Sequence, residues 1–125
     1  MKKILSIFIS LFISFCFFSV KANAENIKFV QVTDSHLSVD SEYSQNVLES
    51  AVEDINKLQD VSFVVFTGDN INYPTPENLR KFVDIVSKLK VPYYVVLGNH
   101  DVYKSKDMSK VRYYEILRER HIFYP

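Results

Sequence analysis

Three short apolar runs divide the chain after residue 25. They lie at positions 27–33, 61–66 and 91–97, and they are rich in β-branched and aromatic residues. Such runs predict strands. The second run is apolar at nearly every position, which is typical of a buried strand in a parallel sheet.

Between these runs, apolar residues recur at steps of three and four, which is the spacing of one helix face. The first such stretch runs from about 42 to 59, and its apolar positions are Val47, Leu48, Ala51, Val52, Ile55 and Leu58. The second begins at Thr75-Pro76, where Thr can cap a helix and Pro fits its first position. A third spans about 109 to 120, and a further strand is predicted from about Ile122. The order β-α-β-α-β predicts an α/β fold with parallel strands and right-handed crossovers.

The first 24 residues have a different composition from the rest. Lys2 and Lys3 precede a 17-residue apolar run, which is followed by Ala22-Asn23-Ala24. This is the pattern of a secretory signal with small residues at its cleavage site. We expect residues 1–24 to be a signal peptide, residues 25–125 to be the mature part, and the product to be periplasmic or secreted with no stable membrane anchor. If the segment were not cleaved, it would anchor the protein in the membrane, since 17 residues is at the short limit of a span.

Removal of residues 1–24 changes the charge and the available metal ligands. The whole chain has 15 basic and 15 acidic residues, and three of the lysines lie before residue 25, so the mature part has a net charge of −3. This charge gives no evidence of a nucleic-acid-binding surface, which would be basic. The one cysteine, Cys16, is also removed. A metal in the mature part must therefore be held by Asp, His or Asn.

Polar residues follow all three predicted strands. They are Asp34-Ser35-His36, Gly68-Asp69-Asn70 and Gly98-Asn99-His100-Asp101. Taken singly, a Gly-Asp pair is more often a plain turn, and an Asp-x-His pair can simply cap the next helix. Together they deliver carboxylate, imidazole and amide groups to the sheet edge where ligands bind in parallel α/β folds. Such a mixed donor set suits Mn, Fe or Zn better than Ca or Mg.

These three clusters resemble, in order and spacing, the first three motifs of the calcineurin-like metallophosphoesterases. The resemblance implies one half of a four-layer α/β/β/α sandwich, carrying the β-α-β-α-β part of it. It also implies a hydrolase of phosphomonoester or phosphodiester bonds in small-molecule substrates. Its cofactors would be two divalent transition metals, Mn, Fe or Zn, which activate a hydroxide.

The resemblance also implies a role for each matching residue. Asp34 and His36 would bind the first metal, Asp69 would bridge both metals, and Asn99 would bind the second. His100 would be catalytic, as a proton donor to the leaving group or as a stabiliser of the transition state. Asp101, the second candidate catalytic residue, would orient His100.

Two further motifs of that family, a lone His and a Gly-His-x-His, have no counterpart in this sequence. We therefore expect the chain to be a truncated, N-terminal part of the domain, with activity only in the full-length form. The alternative is a non-catalytic relic or binding module that keeps half of the fold. A metal-free nucleotide-binding domain would need a glycine-rich phosphate loop, and the chain has only Gly68 and Gly98.

Overall fold

The computed structural model describes residues 26–102, 107–120 and 122. Its strands are β1 (Phe29–Val32), β2 (Phe63–Phe66) and β3 (Tyr93–Val95), and its helices are α1 (Glu42–Ile55), α2 (Pro76–Val86) and α3 (Lys110–Glu119). The strands form one parallel sheet in the order β1-β2-β3. The predicted α/β fold and its β-α-β-α-β order are confirmed. The predicted signal peptide lies outside the described residues, and so does nearly all of the strand expected from about Ile122.

Each helix begins at a side chain that caps its first turn. Ser41, Thr75 and Ser109 accept hydrogen bonds from the backbone N–H groups of Ser44, Asn78 and Arg112. These bonds satisfy N–H groups that have no partner within the helix. Pro76 occupies the first position of α2, as the sequence predicted.

The strand order places the connecting helices on one face of the sheet. Two right-handed crossovers that move in the same direction, from β1 to β2 and from β2 to β3, pass over the same side. On that side Val64, Phe66 and Val95 are buried in a single core with the apolar faces of the helices. The helix residues of this core are Leu48, Val52, Ile55, Leu79, Phe82, Val83, Ile85, Val86, Tyr113, Ile116 and Leu117.

Two residues expected on the buried face of α1 lie on the surface instead. Val47 is 51% exposed and Leu58 is 48% exposed. Successive residues of an α-helix are turned by about 100°, so Val47 points well away from its buried neighbour Leu48. Leu58 lies beyond the end of α1 at Ile55, where the helical spacing no longer applies.

The opposite face of the sheet carries a row of aromatic rings. Phe29 stacks on Phe63 with ring centroids 5.2 Å apart, and Phe63 contacts Tyr94 edge to face at 5.7 Å. Phe29 is 53% exposed and Tyr94 is 40% exposed. Within the described part of the chain, the helical core therefore covers one face of the sheet, and this aromatic face stays open.

None of the helices in the described residues is both long enough and apolar enough to cross a membrane.

Candidate metal centre

The chain segments after β1 and β2 run side by side beyond the ends of their strands. The Asp34 amide donates to the Gly68 carbonyl at 3.1 Å, and the His36 amide donates to the Asp69 carbonyl at 3.0 Å. A parallel bridge between Leu37 and Ile71 continues this pairing. The first two predicted motifs are thus held together by backbone hydrogen bonds, independently of any ligand.

These segments bring Asp34, His36 and Asp69 into one group. One ligand atom from each of the three lies within 4.8 Å of the others. The His36 Nε2 atom is 3.8 Å from Asp34 Oδ1, which is too long for a hydrogen bond. Ligand atoms that share one ion at about 2.0–2.2 Å lie at most about 4.4 Å apart. Side-chain shifts of a few tenths of an ångström would therefore let all three residues bind one ion.

The His36 ring has one nitrogen that makes no hydrogen bond among the described residues. Its Nδ1 is buried and has no hydrogen-bond partner among the described residues. Its side chain is 36% exposed, and that of Asp34 is 60% exposed. A metal ion from solvent could reach this group, and the imidazole would not have to give up another hydrogen bond to bind it. These residues therefore fit a divalent transition metal, which prefers imidazole and carboxylate donors.

All three residues have left-handed backbone conformations. The φ angles are 54° at Asp34, 42° at His36 and 51° at Asp69. Residues other than glycine adopt this region at a cost, and such strain is concentrated at functional sites. Among the described residues the one further non-glycine example is Asp60, with φ 61°, in the turn before β2. Three of the four strained positions are thus candidate ligands.

The two glycines make room for Asp69. Gly68 has φ 110°, and a Cβ atom there would lie 2.9 Å from the backbone of Gly98. A Cβ atom at Gly98 would lie only 2.2 Å from the Asp69 backbone nitrogen and from its Oδ1 atom. No side chain fits at either position, so the close approach of the two loops requires glycine at both.

The loop after β3 contacts the same carboxylate through its backbone. The His100 amide donates to Asp69 Oδ1 at 3.0 Å. Asn99 lies between this contact and the close approach at Gly98, and it is exposed at the same sheet edge. The structure therefore brings all three predicted motifs together around Asp69.

The His100 ring lies over the group without joining it. It is perpendicular to the His36 ring, with centroids 4.8 Å apart, and its Nδ1 is 3.4 Å from the Asn72 carbonyl oxygen. With the proton on Nδ1, the ring donates to this carbonyl, and Nε2 is the ring nitrogen on the side away from it. A histidine held in this way can transfer a proton at Nε2.

Asp101 differs from His100 in its surroundings, because it is fully buried. Its carboxylate accepts from the Gly98 and Ile71 amides at 2.7 and 3.0 Å. Burial raises the pKa of the Asp101 carboxyl, and the backbone hydrogen bonds from Gly98 and Ile71 oppose that rise. The sequence predicted that Asp101 orients His100. The carboxylate bonds to these two backbone amides and to the Asn70 side chain, so an effect on His100 would have to pass through the loop.

Two neighbouring residues were not foreseen from the sequence. The Thr33 hydroxyl donates to Oδ2 of the Asp34 carboxylate. The hydroxyl oxygen of Tyr113, in α3, is 3.0 Å from the Asn70 side-chain nitrogen. Burial and the nearby Asp101 raise the pKa of the Tyr113 hydroxyl. Thr33 could have been suspected because it directly precedes the candidate ligand Asp34. Nothing in the sequence distinguishes Tyr113 from the other residues on the buried face of its helix.

Comparison with known proteins gives a consistent result. A family model described as calcineurin-like phosphoesterase matches residues 27–124. A probable cyclic nucleotide phosphodiesterase from Colwellia psychrerythraea is 37% identical over 93 residues, which is 68% of this chain and 35% of the relative.

Two other relatives match over similar regions. A probable glycerophosphodiester phosphodiesterase from Arcobacter nitrofigilis is 35% identical, over 58% of this chain and 29% of the relative. The DNA double-strand break repair protein Mre11 of Methanococcus maripaludis is 32% identical, over 67% of this chain and 26% of the relative. The chain thus spans about a third or less of the length of these relatives.

Proposed function

Since the chain belongs to the calcineurin-like phosphoesterase family, we propose that it contributes the first part of a metal-dependent phosphoesterase site. The reaction is the hydrolysis of a phosphomonoester or phosphodiester bond with two divalent transition metal ions, Mn, Fe or Zn. The observation that best supports this is the grouping of Asp34, His36 and Asp69 within 4.8 Å. All three residues have strained left-handed backbone, and such strain is concentrated at functional sites.

In this proposal Asp34, His36 and Asp69 hold the first metal, and Asp69 and Asn99 contribute to the second. Divalent ions at such a site polarise phosphoryl oxygens and lower the pKa of water. A carboxylate oxygen has about two lone-pair sites. Asp69 can therefore accept the His100 amide at Oδ1 and still bind metal ions with its remaining sites.

His100 acts on the substrate side. Its hydrogen bond to the Asn72 carbonyl holds the ring so that Nε2 points away from Asn72. Protonated at Nε2, the ring donates a proton to the leaving alkoxide or a hydrogen bond to the phosphoryl group. His100 is exposed, so a substrate can reach it without a rearrangement of the core.

The substrate class proposed is a small-molecule phosphodiester. The names of two relatives specify cyclic nucleotide and glycerophosphodiester hydrolysis. The Mre11 relative acts in DNA repair by its name, but the net charge of −3 after residue 24 weighs against a nucleic-acid surface here.

The test compares Asp69→Ala with His100→Ala in a form of the protein that also carries the two further His motifs of the family. With Mn²⁺ and a glycerophosphodiester, whose leaving group is an alkoxide that needs a proton, we expect His100→Ala to lower turnover by about 10²–10⁴-fold while metal content stays near that of the parent. Asp69→Ala should lose both activity and metal. Equal metal loss in the two variants would show that His100 is a ligand, and the proposed division of roles would be wrong.

The 125-residue chain by itself should show no turnover with the same substrate. The group of Asp34, His36 and Asp69 offers three ligands, and the two further His motifs of the family are not in this sequence. Turnover that depends on added Mn²⁺ would contradict this expectation and show that water or a second copy of the chain completes the site.

A further inference from the structure

A buried polar cluster lies directly beneath the candidate metal group. Its centre is the Asn70 side chain, which is 1% exposed, and the Asp101 carboxylate, which is fully buried. The Asn70 Nδ2 atom is 3.1 Å from Asp101 Oδ2 and 2.9 Å from the Val96 carbonyl oxygen. The Tyr113 hydroxyl is a third oxygen within 3.0 Å of the same atom.

The cluster joins the two loops that surround Asp69. Asp101 belongs to the loop after β3, yet one of its oxygens accepts from the Ile71 amide in the loop after β2. The other accepts from Gly98. Asn70 makes the reciprocal connection, because it belongs to the loop after β2 and donates to Val96 at the end of β3. Each loop therefore contributes one side chain that bonds to the backbone of the other.

The distance between these loops determines the surroundings of the Asp69 carboxylate. Asp69 directly precedes Asn70 in the sequence, and His100 directly precedes Asp101. The His100 amide donates to Asp69 Oδ1. A small separation of the loops would break that hydrogen bond and move Asn99 away from Asp69. The buried donors and acceptors oppose such a separation, since an unpaired polar group in the core costs free energy.

We propose that Asn70 and Asp101 are positioning residues that hold the Asp69 carboxylate against the loop of Asn99 and His100. The proposal rests on the proposed function, in which Asp69 is the shared metal ligand. Neither residue touches substrate or metal. Their effect is exerted on Asp69 through the backbone of the two loops, and Tyr113 extends the cluster to α3.

The chain offers a matched control in Asn56. Its Nδ2 donates to the Lys88 carbonyl at 2.9 Å, and its Oδ1 accepts from the Lys90 amide at 2.8 Å. Asn56 thus also joins two backbone segments, but it lies after α1, at the end of the sheet away from the metal group. Asn56→Ala should lower the melting temperature of the chain without affecting the loops around Asp69.

The experiment measures two quantities in the 125-residue chain carrying Asn70→Ala or Asn56→Ala. The first is the hydrogen-exchange rate of the His100 amide without metal, relative to amides within α1. We expect Asn70→Ala to raise this rate about tenfold, the ratio that corresponds to one net hydrogen bond. The second is the affinity for Mn²⁺ by calorimetry, which should fall at least about tenfold, as for other residues that support metal ligands. Asn56→Ala should change neither quantity by more than about twofold, since it removes no contact near Asp69.

Asp101→Asn provides a second variant in case Asn70→Ala does not fold. Asparagine has the same shape as aspartate but replaces one acceptor oxygen with an NH₂ group. Asp101→Asn should therefore also raise the hydrogen-exchange rate of the His100 amide. If exchange at His100 stays unchanged in the folded Asn70 or Asp101 variant, or if Asn56→Ala raises it equally, the proposal is wrong. Absence of Mn²⁺ binding by the parent chain would contradict the proposed function alone, because His100 exchange tests the positioning role without metal.

Discussion

Left-handed backbone at three candidate ligands is the feature that most clearly separates this site from an ordinary turn region. Asp34, His36 and Asp69 each cost of order 1 kcal/mol or more in this conformation. The backbone hydrogen bonds of Asp34 to Gly68 and of His36 to the Asp69 carbonyl stabilise the strained segments. The conformation directs the three side chains to one point, which is what metal binding requires.

Replacing Asp34 with glycine should affect the free energy of unfolding and the metal affinity differently. Asp34→Gly relieves left-handed strain but removes a carboxylate. We expect the metal-free chain to be as stable as the parent or more stable by up to about 1 kcal/mol, because glycine adopts this region freely but gains entropy in the unfolded state. Affinity for Mn²⁺ should fall at least about tenfold with the loss of one charged ligand. Urea unfolding and calorimetry measure the two effects.

The control for this prediction is Asp60→Gly. Asp60 has a similar φ of 61° and lies in the turn before β2, away from the candidate ligands. It should change stability in the same direction and leave the Mn²⁺ affinity unchanged. A loss of affinity in both variants would show that the effect at Asp34 comes from backbone flexibility and not from its carboxylate.

The donor residues could be predicted from the sequence because parallel strands bring their carboxyl ends to one edge. The left-handed conformations could not, since Asp and His fit many turn types. The hydrogen-bond partners of Asp101 could not be predicted from the sequence either. The family resemblance implied that Asp101 orients His100, but it did not indicate that the carboxylate accepts from the Gly98 and Ile71 amides and from the Asn70 side chain. Contacts between residues about 30 positions apart depend on the folded geometry of both loops.

At the scale of elements, helix positions were predicted well and helix faces less so. Thr75 was predicted to cap the second helix, and the structure has it in that role; Ser41 caps α1 in the same way, although it was not singled out from the sequence. The apolar spacing of α1, however, included Val47 and Leu58 along with the residues that are buried. Apolar spacing alone cannot tell the centre of a buried stripe from its margin, because that depends on where the helix rests on the sheet.

Substitutions in α1 should report which side of the helix is buried. Leu48 is 3% exposed and Val47 is 51% exposed. Leu48→Ala should lower the free energy of unfolding by about 2–5 kcal/mol, because it leaves a cavity in the core. Val47→Ala should change it by no more than about 0.5 kcal/mol, since it alters only surface. Urea unfolding measures both, and comparable losses would mean that α1 is rotated relative to the sheet.

For the whole molecule, the N-terminal segment leads to a prediction about export. The apolar run and the Ala22-Asn23-Ala24 site predict a mature chain that begins at Glu25. We expect N-terminal sequencing of the exported protein to read from Glu25. Ala24→Leu should block cleavage, because the peptidase requires a small residue there. A chain that still begins at Met1 would indicate the anchored alternative.

The open face of the sheet follows from the strand order and could be predicted in outline. With crossovers on one side, the helices of the described residues lie on one face of the sheet. Which residues lie on the open face depends on register. The pairing of Phe29 with Phe63 aligns rings that are 34 positions apart in the sequence. The nearly continuous apolar run 61–66 was predicted to be a buried strand, and in the structure its residues Phe63 and Val65 are only partly buried.

This aromatic face should make the chain associate in solution unless another layer covers it. Exposed apolar patches of several hundred Å² promote association. In the form that begins at Glu25, we expect sedimentation at rising concentration to show self-association. Phe29→Gln and Tyr94→Gln together should weaken it at least about tenfold, because burying one such ring contributes about 1.5–3 kcal/mol. Tyr43→Gln is the control, since Tyr43 is 80% exposed but lies on α1, away from the row. If Tyr43→Gln weakens association as much as the double variant does, the contact is not made by the open face of the sheet. If no variant alters association, the aromatic row has no part in it.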